Sequence, residues 1–153
     1  MLGPLVAVAL LISCWAWPTV AGAANLVVNS LNENATAGDN LCTLREAIVA
    51  ANGDADFHDC VASGPYGDDT ITFSLSGTIT LGSALPPITD ADGLTIDGVG
   101  RAVILSGNDL VRPLTVNNGA ALTLKNLTIT RGAGADCWGF SCGGASSTPW
   151  AAP

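Results

Sequence analysis

The chain has 153 residues, and 13 acidic against 5 basic side chains leave it at −8 near neutral pH with histidine uncharged. The five cations, Arg45, Arg101, Arg112, Lys125 and Arg131, are scattered. A scattered set does not build the basic surface that phosphate neutralisation requires, so no nucleic-acid partner is expected; water, divalent cations and neutral glycans suit such a surface better.

Residues 1–23 carry no charged side chain, and Leu5 to Ser13 form an apolar core too short to span a bilayer. Ala21-Gly22-Ala23 supplies the small-x-small pattern of a signal-peptidase site, although the usual Lys or Arg of the n-region is missing. The expectation is a signal peptide over 1–23, a mature chain that is secreted or held on the extracellular surface, and no transmembrane segment after processing. Leu11-Ile12-Ser13-Cys14 has the form of a lipobox, which makes a lipid anchor through Cys14 the alternative. Cleavage after Ala23 leaves Cys42, Cys60, Cys137 and Cys142, and four cysteines in a secreted chain allow three disulfide pairings. The local pairs Cys42–Cys60 and Cys137–Cys142 are preferred. Zinc is disfavoured, because Cys42 and Cys60 are too far apart for a knuckle and His58 is the only histidine. No cofactor and no resident metal are expected.

Residues 24–66 read as an N-terminal cap. Asn25 to Ser30 is a short strand candidate, followed by a turn-rich stretch. Thr43 and Glu46 then stand at the T-x-x-E spacing of a capping box, in which each residue satisfies the other's backbone N–H. Leu44, Ala47, Ile48 and Ala51 mark one apolar stripe, and Asn52-Gly53 supplies the stop, which predicts a helix over about 43–52. The acidic loop Asp54 to Asp59 follows. Asp54, Asp56 and Asp59 faintly resemble the start of a calcium loop, but the position-six glycine and closing glutamate are missing. A solvated loop is the plainer reading, with His58 as a loop residue and Arg45 projecting from the helix toward these acids.

From Gly67 to Gly132 the texture changes. Thr70–Phe73 and Thr78–Leu81 alternate with period two, and Leu94–Ile96, Val103–Leu105, Leu114–Val116, Leu122–Leu124 and Leu127–Ile129 follow between Gly, Asn and Pro. Leu94-Thr95-Ile96 returns as Leu114-Thr115-Val116, a spacing of about twenty residues that suits one coil of a parallel β-helix. Alternate aliphatic side chains would stack inward at about 4.8 Å per coil, with threonines outward. Gly98, Gly107, Gly119 and Gly132 are expected at corners needing positive φ. An antiparallel sandwich is the rival, with Asp97-Gly98 and Asn118-Gly119 as its hairpin turns.

Several of these motifs occur together in order: Cys42-Thr-Leu-Arg-Glu-Ala-Ile48, Ala50-Ala51-Asn52, Asp59-Cys60, Asp69-Thr-Ile-Thr-Phe73, Ser76-Gly-Thr-Ile-Thr-Leu81 and Leu94-Thr-Ile-Asp-Gly98. Over roughly residues 26–132 the chain resembles the CSLREA-type N-terminal region of secreted bacterial proteins with right-handed parallel β-helix repeats. Thr43 stands where the family has Ser. The resemblance implies a mainly β fold, a right-handed β-helix of few coils behind an α-helical, disulfide-closed cap, and a surface location. It carries no catalytic residues. Residues 133–153 lose the rhythm and read as an irregular Gly/Ala/Ser tail, so the chain is expected to be a fragment of a longer protein.

The expected role is structural or adhesive, presenting a repeat surface that contacts glycans or cell-surface components, and not enzymatic. The alternative is the N-terminal part of a polysaccharide lyase or glycoside hydrolase whose site lies in missing coils. A hydrolase needs two carboxylates set across a groove. The acids available in the coils are Asp90, Asp92, Asp97 and Asp109; Asp97 and Asp109 fall in turns, where an aspartate is expected to cap its own backbone. Arg101 and Arg112 are the candidate lyase bases, and no spacing singles them out.

Overall fold

A computed structural model describes residues 23–137 and 140–142, with side chains through Gly134. The elements run β1 (Asn25–Val28), α1 (Leu44–Asn52), β2 (Asp69–Phe73), β3 (Gly77–Thr80), β4 (Leu94–Asp97), β5 (Val103–Ser106), β6 (Leu122–Lys125), β7 (Leu127–Thr130), β8 (Ala135–Cys137) and β9 (Phe140–Cys142). The protein is mainly β with a single short helix among the described residues. The expected signal peptide apart from its last residue, Ala23, together with Cys14 and the last tail residues, lies outside them.

Two parallel sheets form the body, one in the order β1-β2-β4-β6 and the other β3-β5-β7. From β2 onward the chain alternates between them, strand by strand. Every pair in both sheets is parallel, which removes the antiparallel sandwich. Side chains of like kind meet in register: Leu26 opposite Ile71, Ile71 opposite Ile96, and Ile96 opposite Leu124. Ile79, Leu105 and Ile129 do the same in the second sheet. These inward positions make the core, with Leu26, Ile71 and Ile79 fully buried. Alternation with period two therefore does its work: one face of each strand leaves water while the threonines stay on the other.

The circuit is longer than the recurring tripeptides suggest. Leu94 stands opposite Leu122, not Leu114, and Val103 opposite Leu127, so one circuit takes 24 (Val103 to Leu127) to 28 (Leu94 to Leu122) residues. Leu114–Val116 is not a strand; Val116 makes a single parallel bridge to Ile88. Pro113 removes a backbone donor just before this segment, and Asn117 to Ala120 turns immediately after it.

The corner glycines also differ from expectation. Only Gly119 has positive φ, at 90°, while Asn108, Asp109, Asn126 and Arg131 take the left-handed conformation. Gly98 and Gly107 serve close approach instead: a Cβ on Gly98 would strike the Asn126 carbonyl oxygen, and one on Gly107 the carbonyls of Val111 and Arg131. The tail is not wholly irregular, since β8 and β9 pair antiparallel and join neither parallel sheet.

Helix α1 is inserted between β1 and β2 and packs its buried side, Leu44, Ala47, Ile48 and Ala51, against the first layer of the core. Its N-cap is Thr43 and it stops at Gly53, whose N–H reaches back to Ala50 O at 3.2 Å. The cap region also covers the outer edge of β1. Asn25 and Ser63 exchange backbone hydrogen bonds of 2.9 and 3.0 Å, and Asn29 N–H donates to Cys42 O at 3.0 Å. The far end differs. Leu124 in β6 is 40 % exposed, where its in-register counterparts Ile96 and Ile71 are buried.

Candidate functional site

Three groups of polar residues stand out: the cap network, an outer row on the four-stranded sheet, and a pair of buried aspartates.

In the cap, Glu46 is buried although it is ionisable, and its carboxylate takes three partners. Oε2 accepts from Thr43 N–H at 3.0 Å and lies 2.9 Å from Thr43 Oγ1; Oε1 lies 3.0 Å from His58 Nδ1. The Thr43 hydroxyl has one proton, and the Asn34 carbonyl at 2.9 Å competes for it. Contacts on both oxygens are what let this carboxyl group stay inside. His58 is in the turn between Phe57 and Cys60, at φ 52°, where it stacks on Phe57 with ring centroids 4.0 Å apart and meets Glu46. The Cys42–Cys60 disulfide lies beside this network, with both residues buried. The expected Cys137–Cys142 pair falls on side chains outside those described.

Arg45 does not reach the acidic loop. Its guanidinium pairs with Glu33 Oε2 at 3.0 Å and donates to the carbonyls of Glu33, Ser83 and Ala84. The outward face of the helix at Arg45 meets the strand connections, not residues 54–59. The three calcium candidates are spent separately. Asp59 Oδ2 accepts from Gly38 N–H at 2.6 Å and Asp39 N–H at 3.1 Å, Asp56 Oδ1 takes Ala62 N–H and the Tyr66 hydroxyl at 2.9 Å each, and Asp54 sits in a turn at φ 49°. The Ala62 N–H and then the Tyr66 hydroxyl hold the Asp56 carboxyl below the usual range. Burial, reinforced by the Asp56 hydrogen bond and charge, pushes the Tyr66 phenol above its usual range. Among the described residues no three His, Cys, Asp or Glu groups converge as metal ligands.

The outer face of the four-stranded sheet carries Asn25, Thr70, Thr95 and Thr123 in direct register. The three threonines line a groove of about 450 Å³ whose end is edged by Asp68 and Asp92. Asp90 points elsewhere: it is buried, and its Oδ1 accepts from Asp92 N–H at 2.9 Å and Gly93 N–H at 3.2 Å. Asp97 follows the turn expectation, accepting from Val99 N–H at 2.9 Å and from Asn126 at 2.8 Å. Asp109 does not cap its own backbone; with Arg131 on the next layer in reach, it forms an exposed ion pair of 2.6 Å. Arg101 and Arg112 line different grooves, so the two lyase candidates do not meet.

The buried pair is the feature the sequence reading missed. Asp69 takes an inward position of β2, level with Ile71 and Phe73, and is 1 % exposed; Asp90 is 5 % exposed. Asp69 Oδ1 accepts from Gly67 N–H at 3.0 Å and Ala24 N–H at 3.4 Å. The Oδ2 atoms of both residues are buried without a hydrogen-bond partner among the described residues. Burial pushes the Asp69 carboxyl above the usual range, the two N–H bonds oppose this, and the charges of Asp90 and Asp54 add to it. The signal was present in the sequence: an acid at an inward position of an alternating strand.

No family model, curated protein or solved structure matches the chain. No helix among the described residues is long and apolar enough to cross a membrane.

Proposed function

We propose that the alternating strands wind a right-handed parallel β-helix, that the protein is secreted or displayed at the cell surface, and that its role is structural or adhesive rather than enzymatic. The resemblance to the CSLREA-type region supports this reading, as do the uncharged first 23 residues. The observation that carries the functional part is the in-register row Thr70–Thr95–Thr123 with Asp68 and Asp92 beside it. Hydroxyls repeated once per layer both donate and accept, which matches a hydroxyl-rich polymer lying along the row. Neutral glycans are the partner class, because a chain of net charge −8 repels polyanions. The exposed aliphatic layer at Leu124 supports further coils stacking there, so that this chain is the capped beginning of a longer rod.

The test is a glycan array probed with the protein and with a Thr95→Val, Thr123→Val variant, alongside an assay for reducing ends released from pectin-type polymers. Binding that falls at least tenfold in the variant, with no released ends, is the expected result. Unchanged binding removes the threonine row from the reading, and released reducing ends replace it with the carbohydrate-active alternative.

A further inference from the structure

Among the described residues Asp69 Oδ2 and Asp90 Oδ2 have no partner, and the backbone nitrogen of Ala24 reaches the same Asp69 carboxyl group. Ala24 is 1 % exposed, its N–H points at Asp69 Oδ1 from 3.4 Å, and its carbonyl is held by Thr70 N–H at 2.8 Å. Ala23, one residue earlier, is exposed. The charged groups that bear on Asp69 are Asp90 and Asp54, both acids, with the Tyr66 phenol facing the same cluster. Arg45 is committed to Glu33 and the 83–84 turn, and Arg131 to Asp109. Buried carboxylates left without a cation are costly and ordinarily gain a proton or a partner.

We propose that hydrolysis of the Ala23–Ala24 peptide bond creates this partner: the new α-ammonium of Ala24 is the counter-ion of Asp69 and Asp90 and locks the start of β1 to β2 and to the turn before β4. This rests on the reading of residues 1–23 as a removable leader. Water is the co-reactant and a signal-peptidase-type enzyme the catalyst. The C–N bond breaks, Ala23 leaves as a carboxylate, and the released amine takes up a proton. A single amide donor thereby becomes an ammonium with three donors and a positive charge. One donor keeps Asp69 Oδ1, and the added charge offsets the Asp69 carboxylate and the Asp90 charge that acts on it. Charge-assisted bonds of this kind are about twice as strong as neutral ones. The small residues of Ala21-Gly22-Ala23 provide the recognition sequence immediately before the bond. Folding and processing are thus coupled: the cap reaches its final stability only after the leader is removed.

The sign of the pH dependence separates the two forms. While Ala24 is an amide, Asp69 titrates above its unfolded value, so its contribution to stability is complete in acid and lost as pH rises through the folded value. With the ammonium in place the carboxyl is held below its unfolded value instead, so its contribution is complete above the unfolded value and is lost as pH falls through the lower folded one.

The protein is released from a cleavable fusion with Ala24 first, and compared with the same chain N-α-acetylated and with the full chain of residues 1–153. At pH 7 the free-amine form is expected to have an unfolding equilibrium constant at least tenfold smaller than either blocked form. In an Asp69→Asn, Asp90→Asn background that difference is expected to shrink below twofold. Equal stability of the free and acetylated forms, or a difference that survives the double substitution, overturns the ion pair. The mass of the exported protein tests the premise separately: a first residue of Ala24 supports it, and a chain that retains residues 1–23 overturns the leader reading itself.

Discussion

Removal of the Cys42–Cys60 disulfide is the sharpest test of what holds the cap together. Cys42 precedes the N-cap Thr43 and Cys60 closes the loop that returns after α1, a separation of 18 residues with both sulfurs inside. In the chain-entropy treatment a loop of that length costs the unfolded chain about 3 kcal/mol of freedom. For a domain of this size that is a loss of about 10 °C in midpoint. Alanine at both positions is the proper perturbation, since serine would bury two hydroxyls. Urea unfolding followed by circular dichroism reads the loss, and the same loss on adding reductant to the unaltered protein shows that the bond, not the side-chain volume, is responsible. The effect operates on the unfolded ensemble, so the denaturant slope is expected to rise when the link is absent. A loss under about 1 kcal/mol with an unchanged slope would refute the reasoning and mean that the unfolded chain keeps this loop nearly closed without the bond.

Glu46→Ala leaves the buried Thr43 N–H and the inward nitrogen of His58 without an acceptor. About 2–4 kcal/mol should be lost in chemical denaturation, most of it recovered in Glu46→Gln, which keeps an acceptor. Ile71→Ala opens a void between Leu26 and Ile96 at the centre of the sheet and should cost about 2–5 kcal/mol in the same assay, against less than about 0.5 kcal/mol for the outward Thr123→Ala. Tyr66 is the only tyrosine, so ultraviolet titration reads it alone. Its folded value is raised by burial and by Asp56, so ionisation should lag that of the unfolded chain. The stability it contributes is present below the unfolded value near pH 10 and lost as pH rises through the folded one.

Local chemistry was readable where it depended on neighbours in sequence. The T-x-x-E spacing fixes α1, and alternation locates six of the seven strands of the two parallel sheets to within a residue or two; β1 was readable from its apolar centre, Leu26 to Val28. Circuit length was not readable, because Leu-Thr-aliphatic triplets occur in both sheets and beside Pro113. A repeated triplet does not say which copy lies opposite which. The partner of Arg45 was hidden for a similar reason: Glu33 and the Ser83–Ala84 turn come beside the helix only once the layers are stacked. Glycine roles divided in the same way. Gly119 obeys a local backbone rule, whereas Gly98 answers to a carbonyl 28 positions away in the chain (Gly98 to Asn126).

The unequal ends of the stack bear on how such a chain can vary. Ser63 and Cys42 occupy the hydrogen-bonding edge of β1, so nothing can be added there without dismantling the bonds that close it. Further along, each layer offers the next the same aliphatic template, and an in-frame duplication of residues 94–121 would slip in one more storey whose floor and ceiling already fit. Length is therefore free to drift at one pole while the other stays anchored, as with a zip fastener that has a stop at only one end.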